Sequence, residues 1–319
     1  MGNRNPKLTP KEQIQLMKDK GIRFNIMSEE AALSYIENDT YYFKLKPYAD
    51  LYEKDKDGKY KDLEFAYLKD LAIIDAILRK KLLLMSLDIE HHLKVLLLKD
   101  FNRSDEDGYQ IIDDLIATNK SHYETDFKRK SAGLACSRIV NKYKDNYAIW
   151  NIIEIISFAD FEELYKFFYE RNGKALYPDQ PEFQKGPYVD MFTPVRLVRN
   201  TAAHNNTFLN NLVKPFFKLS KINQESEIYD FFLAHGIDKE MIDLHMQNPF
   251  CHDVLSVLHL YYLLMPKDDV IDTFTDLQNT YNGRFVRHAD YYEGKNETLY
   301  YSHLFGVVTL EIYLNELKK

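Results

Sequence analysis

The stretch from Leu63 to Asp100 constrains the fold most. It runs through LAIIDAILRKKLLLMSLDIEHHLKVLLL with apolar residues at helical spacing that extend well around the helix, so it should be the central helix of a bundle. Turn-formers are scarce: 319 residues hold only 11 Gly and 10 Pro, which means few connections and long elements. At 45% apolar the chain can build a real core, and wholesale disorder is excluded. The fold class expected is all-α.

Local signals place the other helices. Thr9-Pro10 with Glu12 caps a helix over 10–20 that Gly21 ends, and Ser28 caps a second over 29–38. Further helices are expected at 109–119, 132–146, 148–171 (ended by Asn172-Gly173), 226–235, 238–247, 252–264, 268–281 and 303–317, with Asn282-Gly283 as a turn. Residues 208–220 read as mixed. Short extended pieces are expected at 41–46 and 284–292. Residues 177–190, with three Pro and one Gly, form the clearest internal linker. The organisation expected is an N-terminal helical segment (1–60), a central bundle (61–220) and a C-terminal helical region packed on it (221–319).

Net charge is −7, which argues against broad non-specific nucleic-acid binding by a basic surface. The charge is uneven: 26 Lys and Arg face 25 Asp and Glu in 1–150, but 16 face 24 in 151–319. Basic clusters lie in the first half, at Arg79-Lys80-Lys81, at Lys128-Arg129-Lys130, and at Arg138 with Lys142 and Lys144. Two widely separated cysteines, Cys136 and Cys251, fit a reducing compartment. The N-terminus has no apolar signal core and no apolar run reaches 18 residues, so a cytoplasmic protein with no membrane span is expected.

The chemistry concentrates in Arg199-Asn200-Thr201-Ala202-Ala203-His204. Thr193-Pro194 reads as the N-cap and first position of a helix. At about 100° per residue, Arg196, Arg199, Asn200, Ala203 and His204 share one side, and Val195, Leu197, Val198, Thr201 and Ala202 the other. An always-charged guanidinium can hold a phosphate and an imidazole can move a proton near neutral pH. The spacing alone arises by chance about once in such a composition, and a solvated face of an amphipathic helix explains it as well. No competing chemistry is better placed. Gly-rich phosphate loops and a G-x-S-x-G elbow are absent, and Glu90-His91-His92 is not a HExxH. His245, Cys251, His252 and His259 match no zinc spacing, so no metal and no cofactor are expected.

Several pieces in order resemble the abortive-infection proteins of the AbiD/AbiF type. They are KEQIQLMKDKGIRFNIMSEEAALSYIENDTYYFKLKPYADLY, the Ile89-Glu90 helix MSLDIEHHLKVLLL, WNIIEIISFADFEELYKFF from Trp150, and RNTAAHNN. The similarity covers roughly residues 8–220. The chain departs from the pattern at His92 and Lys94, where many members carry Arg after the Ile-Glu pair, and at Ala159, where Gly is common. The resemblance implies the HEPN superfamily, whose helical bundles include metal-independent ribonucleases with an Arg-x(4–6)-His motif, usually formed where two domains pair. It implies an all-α HEPN-like bundle with extra helices at both ends, catalytic Arg199, Asn200 and His204, and a homodimer acting on RNA in phage defence. Arg196 and Asn205 beside the motif, and Lys128, Arg129 and Lys130, are the expected RNA contacts, with the lysines at 214–221 mattering less. Two other readings stay open: a non-catalytic protein that works with a small non-coding RNA, and a helical protein-interaction module.

Overall fold

Most of the described residues are helical. The computed structural model describes residues 6–133, 135–144, 146–213 and 226–319. Helices make up 71% of the chain, and no strand forms among the described residues, so the class is all-α. In order they are α1 (Pro10–Asp19), α2 (Glu29–Asn38), α3 (Tyr42–Ala49), α4 (Phe65–Phe101), α5 (Gln110–Thr118), α6 (Lys120–Ser131), α7 (Ser137–Lys142), α8 (Ile149–Ile152), α9 (Phe158–Leu176), α10 (Phe192–Ala203), α11 (Leu209–Val213), α12 (Glu227–Ala234), α13 (Lys239–Met246), α14 (Pro249–Leu264), α15 (Lys267–Arg287) and α16 (Glu297–Leu317). Helix α4 buries Leu71, Ile74, Leu78, Leu82, Met85, Ile89, Leu93 and Leu97, a run with steps of three or four. Its other apolar residues do not all find cover: Leu84, Leu87 and Val95 are exposed.

The caps behave as their chemistry dictates. Thr9 and Glu12 bond each other's backbone reciprocally, and Ser28 accepts from the amide of Ala31. Gly21 ends α1 in the left-handed region at φ 87°, the conformation that favours glycine.

Several boundaries differ from the sequence reading, each for a physical reason. Residues 42–49 are helical, not extended. Leu45, Tyr48 and Ala49 are buried, and that burial holds a short helix despite Pro47. The expected helix 148–171 breaks, because Ser157 and Asp160 form a capping box that starts α9 afresh. The expected helix 132–146 shrinks to α7, and α6 appears before it, separated by Gly133 at φ 107°. Asn172-Gly173 does not stop α9. A side chain at Gly173 would stand 1.9 Å from the Gln184 carbonyl oxygen, so glycine serves close approach there, not termination. Asn282-Gly283 lies inside α15, and 289–291 is a single 3-10 turn where an extended piece was expected. The segment 177–190 is packed. Tyr165 donates to the Pro187 carbonyl at 2.9 Å, and Tyr177 donates to Asp100 at 2.5 Å.

The chain forms two compact units, and neither is one continuous stretch. One comprises residues 1–84, 198–255 and 266–319; the other comprises 85–197 and 256–265. In the first, Tyr313 of α16 packs on Phe231 (4.8 Å, stacked) and Phe274, and buried Asp70 of α4 binds Arg284 and the Tyr292 hydroxyl. In the second, Phe161, Tyr165 and Phe192 cluster within 6.0 Å, and buried Asp100 accepts from the hydroxyls of Tyr169 and Tyr177.

Candidate functional site

Helix α10 starts two residues before the expected position, directly after a 3-10 turn at Val189–Met191. Pro194 therefore sits in its first turn, where a missing amide costs nothing. Thr193 is not the cap: its hydroxyl donates to Glu162 at 2.8 Å. Val195, Val198 and Ala202 are buried as expected, whereas Leu197 is exposed.

The arginines of α10 are used differently. Arg196 pairs with Glu162 at 3.2 Å. Burial works to raise the Glu162 carboxyl, but Lys166, Thr193 and Arg196 together hold it below the ordinary value. Arg199 is half-buried, and its Nη1 donates to Asn200 Oδ1 at 3.2 Å. Its buried Nε has no partner among the described residues. The other arginines that are not exposed all have carboxylates: Arg79 has Asp75, Arg196 has Glu162 and Arg284 has Asp70. A half-buried guanidinium with no carboxylate among the described residues is expensive unless an anion comes to it.

His204 is exposed at the C-terminal end of the helix, and its amide still bonds the Asn200 carbonyl at 3.0 Å. Asn205 follows in the left-handed region at φ 57°. The amide of Asn206 bonds the Thr201 carbonyl and that of Asn205 bonds the Ala202 carbonyl, the paired closure that ends a helix. Asn205 is therefore the residue that stops α10 immediately after the imidazole.

The segment after His204 is held by residues that the motif does not reveal. Lys44 of α3 donates to the Asn205 carbonyl. Fully buried Asp75 of α4 accepts from the amides of Phe208 and Leu209, each at 2.7 Å, and pairs with Arg79. Asn248 bonds the carbonyls of Asn211 and Leu212 at 2.9 Å. Burial, and then the charge of Arg79, push the Lys44 amine down to about 8. Of these, the sequence marks only Arg79, as part of a basic run. Lys44 and Asp75 carry no local signal for this role, because Asn205, Phe208 and Leu209, whose backbone they hold, lie more than 130 positions away.

The motif residues Arg199, Asn200, His204 and Asn205 fall in one unit with Lys44, Asp75 and Arg79; Arg196 and residues 128–130 belong to the other. Lys128 is exposed, and Arg129 is exposed while paired with Asp126 at 2.5 Å. Lys130 is buried: it pairs with Asp126 and donates to the Ile155 carbonyl. That amine anchors α6 internally and is not displayed to solvent. Lys214, Lys218 and Lys221 lie outside the described residues. Cys251 is buried, and burial pushes its thiol up to about 12, the wrong direction for a nucleophile. Among the described residues no three His, Cys, Asp or Glu side chains are grouped to hold a metal ion.

The profile of the Abi-like protein family matches residues 35–210, just over half of the chain. The chain belongs to the Abi-like protein family. No curated protein and no solved structure matches it. The Abi-like region runs from Tyr35 in α2 to Asn210 in α11, so it contains Lys44, Asp75 and Arg79 as well as the whole motif. The helices from α12 onward lie beyond it. Among the described residues no helix is long and apolar enough to cross a membrane.

Proposed function

We propose that this Abi-like protein is a metal-independent RNA endonuclease of the HEPN type, acting in the cytoplasm in phage defence. The observation that carries the reading is Arg199: a half-buried guanidinium with an unpartnered Nε, on a helix that ends at an exposed imidazole. The guanidinium takes the scissile phosphate and stabilises its developing charge, an effect on the order of 10²–10³ for a charge-stabilising donor. His204 removes the 2′-hydroxyl proton, and the 2′-oxygen attacks phosphorus. The bond to the 5′-oxygen breaks, and that oxygen leaves protonated. The products are a 2′,3′-cyclic phosphate and a 5′-hydroxyl. Proton transfer by a placed imidazole is worth roughly 10²–10⁴. Asn200 keeps the guanidinium oriented through its 3.2 Å bond.

One chain supplies one imidazole to a step that uses both a base and an acid. The reading therefore includes a symmetric homodimer whose two motif helices share a cleft. Light scattering that finds a monomer, both free and RNA-bound, would remove the dimer. His204→Ala and Arg199→Ala should each abolish RNA cleavage with helix content unchanged, and wild-type cleavage should persist in EDTA. A wild-type rate from His204→Ala, or loss of activity in EDTA, would overturn the mechanism. A second reading, RNA binding without cleavage, is favoured by one feature: the exposed His204 ring has no carboxylate to orient it among the described residues. A wild-type protein that retains a defined RNA and never cuts it would select that reading.

A further inference from the structure

Residues 41–49 and 198–213 contain Lys44, Lys46 and Arg199 and no acidic residue, in a chain with a net charge of −7. The fold joins these two stretches, because Lys44 of α3 donates to the carbonyl of Asn205, next after His204. Helix α3 turns Leu45, Tyr48 and Ala49 inward, while two large rings at its start stand in solvent: Tyr41 is 57% exposed and Phe43 is 73% exposed. Tyr41 also lies within electrostatic reach of Arg79, which pairs with the Asp75 carboxylate that clamps the segment after His204. Exposed rings beside lysine side chains are what a single strand of nucleic acid needs. Bases stack on the rings without regard to sequence, and cations take the phosphates. An amine has three donors; the Asn205 carbonyl uses one on Lys44, which leaves two for phosphate oxygens.

We propose that the start of α3 is a nucleotide-holding subsite, in which Tyr41 and Phe43 stack unpaired bases and Lys44 binds a backbone phosphate of the strand presented to His204. The proposal rests on the RNA reading of the Arg199–His204 site and assigns that site a substrate with unpaired nucleotides beside the scissile bond.

The test is direct binding, measured on the full chain carrying His204→Ala so that no RNA is cut. The probes are a fluorescein-labelled single-stranded oligoribonucleotide of mixed sequence and the same strand annealed to its complement, read by fluorescence anisotropy. The single strand should bind more tightly than the duplex. Tyr41→Ala and Phe43→Ala should each weaken single-strand binding roughly five- to hundredfold, while Tyr41→Phe, which keeps the ring, should retain it. Lys44→Ala should weaken binding and lower the salt slope by about one. Tyr41→Leu, apolar but not aromatic, separates stacking from packing: it should bind as poorly as Tyr41→Ala and melt like the parent. If the single strand binds and loss of either ring changes nothing, or if the duplex binds more tightly, the subsite is wrong and the ribonuclease reading survives. If neither RNA binds, both fall.

Discussion

At the scale of single residues, similar side chains have different fates. Arg196 and Arg199 sit on one polar face of α10, and nothing local tells them apart. Glu162, 34 positions earlier, neutralises the first, while the second has no carboxylate partner among the described residues. The same logic governs His303. It is buried, stacked on Phe285 with ring centres 4.1 Å apart, and bonded to Asn282 at 3.2 Å. Burial lowers its pKa from 6.5 to about 4. The folded state therefore resists a proton that the unfolded chain accepts. Stability is fully present above pH 6.5 and is lost as the pH falls toward about 4. Replacing this group with a neutral one, as in His303→Gln, should flatten the fall in melting temperature over that window, measured against wild type. Parallel curves for the two proteins would show that His303 does not titrate as its burial implies.

At the scale of elements, the caps were legible and the long-range clamps were not. Thr9 with Glu12, Ser28 and Gly21 act within a few residues, and their chemistry reads directly from the chain. The Ser157–Asp160 box was equally visible in principle, but the apolar periodicity through 148–171 hid it. The Asp75 clamp is of another kind. One buried carboxylate joins α4 to the segment after the motif helix, through two amides and a buried Arg79. Asp75→Ala strands two amides and a buried cation, so it should cost about 3–5 kcal/mol in denaturant unfolding. It should also reduce RNA cleavage in whatever fraction remains folded. A loss below about 1 kcal/mol, the scale of an ordinary surface pair, would show that water satisfies the site.

At the scale of the whole molecule, charge is distributed against its average. A net charge of −7 works against RNA binding, so any contact must come from local surfaces where acids are missing. The basic run at 128–130 divides accordingly. Lys128→Glu changes an exposed group; it should weaken RNA binding and flatten its salt dependence while leaving the melting temperature near wild type. Lys130→Glu places an anion beside buried Asp126 and should destabilise the protein instead. Equal effects of both variants on affinity, with equal stability, would mean that Lys130 faces solvent.

The sequence by itself determined the helical class, most helix positions and the polar face that holds Arg199, Asn200 and His204, because periodicity, caps and glycine geometry act over a few residues. It also contained the order of segments through which the chain resembles its family. Only the tertiary structure decided which arginine is spent on a carboxylate, that Lys130 points inward, that 177–190 packs instead of linking, and that α3 meets the end of the motif helix. Those outcomes depend on pairs such as Lys44 with Asn205 and Asp75 with Leu209, brought together over more than 130 residues. No local pattern records such a pairing. It follows from burying the apolar faces of many helices at once, and the buried polar groups then take whichever partners that packing leaves within reach.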